Sequence, residues 1–214
     1  MALTEPSKPP SEYPETKPIT KINISEAKNM GLIGAILGLI GMILSFGLIG
    51  LIILIIGVIL IYIGVAHLSD KINNPTPRRC YLNYLIFNII AVVIGIAGIV
   101  VALGGFIGLA GLSSLNIAGL FSTLFAAIGI LIIVLIIVYI LAIIAAIYLR
   151  RSYDIIKTIT KVDLFGTVGF LYFLGAILLI ILVGGIIIFI AKILEIAAWG
   201  SLPESIELPA TVKT

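Results

Sequence analysis

The sequence predicts an all-α integral membrane protein of about six transmembrane helices, two end hairpins flanking two central spans, with both termini on the cytoplasmic side. Three observations carry this. The 214 residues are 61% hydrophobic and only 11% charged, whereas soluble domains carry about a quarter charged residues. Charge is absent from three long blocks, residues 31–66, 81–149 and 164–191, and uncharged apolar runs beyond about 18 residues read as membrane spans. The basic residues then fall on one side of that pattern. Lys8, Lys17, Lys21 and Lys28, then Lys71, Arg78 and Arg79, then Arg150, Arg151, Lys157 and Lys161, then Lys213 all lie at inside positions, and the three outside connections hold no charge. Lysine and arginine gather on the cytoplasmic face of membrane proteins.

The elements follow in order. Residues 1–24 contain five prolines among Ser, Thr, Glu and Lys, a composition expected for a flexible cytoplasmic tail. Ser25 suits an N-cap and Glu26 a helix's first turn. The uncharged block from Gly31 to Ala66 would make one helix of about 54 Å, against a hydrocarbon core of about 30 Å. Two helices, 25–45 and 48–70, with a turn near Ser45-Phe46-Gly47, fit better, and the first apolar block is too long for a signal-peptide core. Asn74-Pro75 and Thr76-Pro77 break the chain. A third helix is expected over 81–103, then a glycine-rich loop or interfacial stub (LGGFIGLAGLSSLNIAG), then a fourth helix over 120–148. That helix has the option of continuing through RRSYDIIKTITK, where Ile155, Ile156 and Ile159 share a face. Asp163 is a second N-cap candidate. The last block reads as helices over 164–182 and 186–201 with a turn at Gly184-Gly185. A five-span alternative makes 166–190 one helix. The transmembrane domain is thus 25–202, followed by a short cytoplasmic tail at 203–214.

The two end hairpins resemble each other. A shift of 134 positions places Gly41 on Gly175, Gly50 on Gly184, Ile59 on Ile193 and Leu68 on Leu202. Repeats related this way run in the same direction, unlike the inverted repeats of many transporters.

Two sets of residues stand out. Gly31, Gly34, Gly38 and Gly41 share one face of the first helix, and Gly50, Gly57 and Gly64 repeat at heptad spacing on the second. Small residues allow membrane helices to approach closely, so these are expected to pack within the protomer or to form a dimerisation face. Lys192 and Glu195 are the other set, an i, i+3 pair inside the last apolar block. A charge at mid-bilayer costs about 2.5–3.5 kcal/mol on insertion scales. Three roles compete: structural pairing, snorkelling toward the interface near Trp199, and coupling to an ion or substrate. Asn83, Asn88, Asn116, Ser122 and Thr123 form no relay, and Tyr62, Tyr139, Tyr148 and Tyr172 read as interface or packing aromatics.

Catalysis has little support. His67, the one histidine, lies at a helix end beside Asp70, where an exposed position is expected. There is no HExxH, GxSxG or P-loop. Cys80 is the one cysteine, so an internal disulfide or a multi-cysteine metal site is excluded. No basic cluster with interleaved aromatics points to nucleic acid, and no cofactor is implied.

The stretch YLRRSYDIIKTITKVDLFGTVGFLYFLGAILLIILVGGIIIFIAKILEIAAWGSLPE, and the opening AKNMGLIGAILGLIGMILSFGLIGLIILIIGVILIYIGVAHLSDK, resemble an archaeal membrane-protein family, the domain of unknown function 996. Together they cover most of residues 27–204. The resemblance implies an archaeal plasma-membrane protein and assigns no site residue. The expected function is a non-enzymatic structural or accessory subunit of a membrane assembly, in contact with the lipid bilayer and with other membrane subunits or copies of itself. The alternative is a small transporter or channel using Lys192 and Glu195.

Overall fold

The structure, a computed structural model, describes residues 19–45, 47–112 and 117–209. Most of the proline-rich segment and Asn116 lie outside the described residues. Six helices are long and apolar enough to cross a membrane. They are α1 (Ser25–Ile43), α2 (Leu48–Lys71), α3 (Thr76–Leu112, apolar enough over Thr76–Gly108), α4 (Ile117–Thr160), α5 (Leu164–Leu178), which reaches that length only together with the short 3-10 turn Leu179–Ile181 that continues it, and α6 (Val183–Gly200). Each packs on its neighbour in sequence, and α6 returns to α1, closing a ring of three hairpins.

Several boundaries differ from the sequence expectation. α3 begins at Thr76, because Pro77 falls in its first turn, where the missing N–H has no partner to lose. The glycine-rich stretch after residue 103 is helical through Leu112, and α4 resumes at Ile117. α4 takes the continuation that the sequence allowed and runs on to Thr160. The last block is two helices, as expected, and not the single helix of the five-span alternative. Its turn is centred on Leu182, a non-glycine residue in the left-handed region (φ 63°), rather than on Gly184-Gly185. Ser25 is the first helical residue, and its N–H and hydroxyl both donate to Asn23 Oδ1, at 2.9 and 2.7 Å.

A small sheet was not foreseen. Strand β1 (Ile19–Asn23) pairs antiparallel with β2 (Ser205–Pro209), Ile22 opposite Ile206. The segments on either side of the helical domain, read as tails from sequence, are joined here. The Ile24 N–H donates to the Glu204 carbonyl at 2.8 Å, continuing the clasp to the foot of α1.

The buried core sits at this end of the ring. Ile24, Leu68, Tyr81, Tyr153, Phe165 and Trp199, one from each side of the bundle, are all within 1% of full burial. The opposite end is different. Tyr139 of α4 donates its hydroxyl to the carbonyl of Ile177, close to the end of α5, at 2.7 Å. The part of α4 before Tyr139, about 33 Å of helix at 1.5 Å per residue, therefore runs past the α5–α6 turn. Along it Phe125, Ile132, Ile133 and Leu135 are exposed.

Candidate functional site

The backbone of α6 fixes the site first. Lys192 and Glu195 lie one turn apart, and both side chains point into the ring, 8% and 2% exposed. Lys192 Nζ donates to Glu195 Oε2 at 2.5 Å. The same oxygen accepts the Tyr172 hydroxyl of α5 at 3.2 Å. The other carboxylate oxygen, Oε1, accepts the Tyr153 hydroxyl of α4. Three donors from three helices thus converge on one carboxylate.

Around this centre the aromatic rings extend to the remaining helices. Tyr153 lies 6.3 Å from Tyr81 of α3, which lies 6.3 Å from Tyr62 of α2. Phe165 stands edge-on to both Tyr153 and Trp199, at 5.5 and 5.2 Å. Edge-to-face rings at these separations add about 0.5–1.5 kcal/mol beyond burial.

The glycines explain how the ring closes so tightly. A Cβ at Gly38 would come within 2.6 Å of Lys192 Cε, so the absence of a side chain there makes room for the lysine stem. A Cβ at Gly31 would strike the Trp199 indole. The α1 glycines therefore serve two neighbours: Gly34 and Gly41 meet α2, while Gly31 and Gly38 receive α6 side chains and lie against α2 as well. A Cβ at Gly34 would lie 2.6 Å from the Gly57 carbonyl oxygen, and one at Gly41 2.6 Å from Leu54 Cα. From the α2 side, a Cβ at Gly57 would lie 2.8 Å from Gly38 Cα, one at Gly64 2.8 Å from Gly31 N, and one at Gly50 would run into the Leu44 carbonyl.

Trp199 is fully buried within the ring and its Nε1 has no hydrogen-bond partner among the described residues. His67 is half-buried rather than exposed, and Asp70 pairs with Arg78 at 3.6 Å instead. Sequence reasoning missed Tyr153 and undervalued Tyr172. The signal for Tyr153 was present: Leu149, Tyr153, Ile156 and Thr160 follow helical spacing on α4 and are the buried face there.

The model of the DUF996 family, described as a protein of unknown function, matches residues 53–193, about two thirds of the chain. The chain belongs to the DUF996 family. An uncharacterized protein of Methanocaldococcus jannaschii, an archaeon, is 35% identical to this DUF996 protein over 193 residues, covering 87% of this chain and 97% of that one. No solved structure matches. The family match takes in Tyr153, Tyr172 and Lys192 and ends two residues before Glu195.

Proposed function

We propose that this DUF996 protein is a six-span protein of the archaeal plasma membrane, with both termini cytoplasmic, and that it acts as a non-enzymatic structural or accessory subunit of a membrane assembly. The observation that carries the reading is the way Glu195 is satisfied. Its carboxylate takes its donors from Lys192, Tyr153 and Tyr172 of the same chain, and Lys192 is seated against Gly38. A carboxylate so enclosed ties α4, α5 and α6 together, and the seat on α1 completes the ring. An intramembrane ionisable residue that carries an ion or substrate faces a water-filled path. The rival, coupling through Lys192 and Glu195, keeps its force from the same principle, because charges within spans are costly and tend to be functional.

The topology is tested by cysteine substitution and a membrane-impermeant thiol reagent, in a Cys80→Ser background. Ser45→Cys and Gly185→Cys are expected to react from outside, and Thr76→Cys and Thr158→Cys only after permeabilisation. Reaction of Thr158→Cys from outside overturns the arrangement. The role is tested in liposomes: the purified chain is expected to leave an imposed proton or sodium gradient intact. A flux that Glu195→Gln abolishes, in a variant that still folds, transfers the assignment to the transporter reading.

A further inference from the structure

The glycine seats on α1 have two candidate occupants. Gly38 seats Lys192 of α6, 2.6 Å from an added Cβ to Lys192 Cε, and Gly31 seats Trp199. Under the shift of 134 positions α6 corresponds to α2: Lys192 stands at Val58, Glu195 at Ile61 and Trp199 at Val65. The α2 side chains are shorter, so their size does not bar the α2 of a second copy from the same seats. Two first hairpins would then close on each other, each α1 receiving the other chain's α2. Exchange of identical elements is a low-cost route to dimers. The third hairpin has no such option. The same shift places Phe165 at Gly31 and Tyr172 at Gly38, and both rings are occupied within their own chain. Phe165 stands edge-on to Trp199 at 5.2 Å, and Tyr172 donates to Glu195 at 3.2 Å.

The charge pair separates the two outcomes. Glu195 is pinned at Oε1 by Tyr153 of α4 and at Oε2 by Tyr172 of α5, which sets the rotation of α6 about its own axis. Lys192, bonded to Oε2 at 2.5 Å, and Trp199, one turn beyond Glu195, are thereby aimed at Gly38 and Gly31. Seated, the pair is 8% and 2% exposed. Unseated, it would open toward lipid, where a charge is costly. Valine and isoleucine at these positions would carry no such penalty, because lipid tails are as apolar as the side chains themselves. Apolar residues pack this hairpin geometry equally well, as the fully buried Ile61 shows, but they would leave α6 indifferent to whether the ring is closed.

We propose that the Lys192–Glu195 pair is a closure key: it makes an unseated α6 costly, so that α1 receives the α6 of its own chain and first hairpins do not exchange between copies. Buried ionic groups are best attested in this kind of role, fixing which partner and register a helix takes. The inference rests on the structural, membrane-embedded reading given above and says what the pair does within it.

The test is cysteine crosslinking of the full chain in membranes, in a Cys80→Ser background. A side chain at Gly200 would lie 3.9 Å from Leu32 Cδ1 across the α1–α6 seam, and Ala66 is the residue that the shift places at Gly200. L32C/G200C is expected to crosslink within one chain, and L32C/A66C to give almost no covalent dimer. Adding K192V/E195I, with Y153F/Y172F to remove the orphaned hydroxyls, is expected to raise the L32C/A66C covalent dimer at least tenfold in a protein that still folds. If that variant does not fold, the near-isosteric K192M/E195Q carries the test with the same expectation. A folded variant with no rise in covalent dimer overturns the key. So does loss of the fold in both variants, since the pair would then be required for folding itself. Abundant covalent dimer with the pair intact overturns it as well. Failure of the structural reading is visible separately, as a gradient that the parent chain dissipates in liposomes while the crosslinks stay as expected.

Discussion

The α1–α2 and α5–α6 hairpins are built on the same plan and differ in one chemical decision. The shift of 134 positions that aligns them in sequence also aligns their contacts. Gly41 approaches Leu54, and Gly175 approaches Ile188; Gly50 approaches the backbone at Leu44 and Ser45, and Gly184 the backbone at Leu178 and Leu179. Even the turn entries agree, with Leu44 at φ −88°, ψ 5° and Leu178 at φ −83°, ψ 2°. The buried positions correspond too: Val65 with Trp199 and Leu68 with Leu202. At one buried position the hairpins part. Ile61 of α2, 0% exposed, corresponds to Glu195, and Val58 to Lys192. The first hairpin shows that this geometry packs with apolar residues alone. The charge pair is therefore not a requirement of the hairpin but an addition that links it to Tyr153 of α4.

The comparison is broken most severely by removing one charge. Glu195→Gln or Lys192→Met leaves its partner buried without a counter-charge, a change that typically costs about 3–5 kcal/mol. Thermal unfolding in detergent is expected to show a large drop for each.

The next effect is smaller. Lys192→Val with Glu195→Ile writes the first hairpin's residues into the third. Replacing a buried pair by apolar residues is often near neutral, but the Tyr153 and Tyr172 hydroxyls lose their acceptor, at about 1–3 kcal/mol for a buried group left unpaired. The double variant should melt above either single variant, and adding Tyr153→Phe and Tyr172→Phe should raise it further. A double variant less stable than both singles would mean that the pair does more than satisfy itself.

Glycine substitutions sharpen the comparison at the helix contacts. Gly41→Ala drives a methyl against Leu54 Cα, which cannot yield without moving the backbone, and overpacking of this kind costs about 1–3 kcal/mol. Gly175→Ala should cost less, since its nearest obstacle is the Ile188 side chain, 2.6 Å from the added atom. The same logic separates Gly34→Ala, which meets α2 backbone, from Gly38→Ala, which meets the flexible Lys192 stem. Equal melting temperatures within each pair would show that the hairpins tolerate separation better than these contacts imply. The mildest change is Gly185→Ala. Open space surrounds that position, and alanine in a helix is favoured over glycine by about 0.5–1 kcal/mol, so a slight rise in melting temperature is expected.

The six apolar helices were legible from residue order because their signals are local. Hydrophobic run length, the placement of Asp, Glu, Lys and Arg, and the prolines at 75 and 77 act within a turn or two of where they are read. The repeat between end hairpins was legible for the same reason, as glycine spacing. Helix ends were less so. Gly104 and Gly105 read as loop, yet they lie within α3. The Lys192–Glu195 pairing could be drawn from an i, i+3 spacing, whereas its other partners could not. Tyr153 and Tyr172 come from helices 42 and 23 residues away in sequence. Only the closing of α6 onto α1, with Gly38 receiving Lys192, sets which face of each helix looks inward. The β1–β2 clasp has the same origin. ITKIN and SIELP carry no turn between them, and each is too short to announce a strand. Tertiary structure decided these features, since each joins parts of the chain that come together only once the ring has closed.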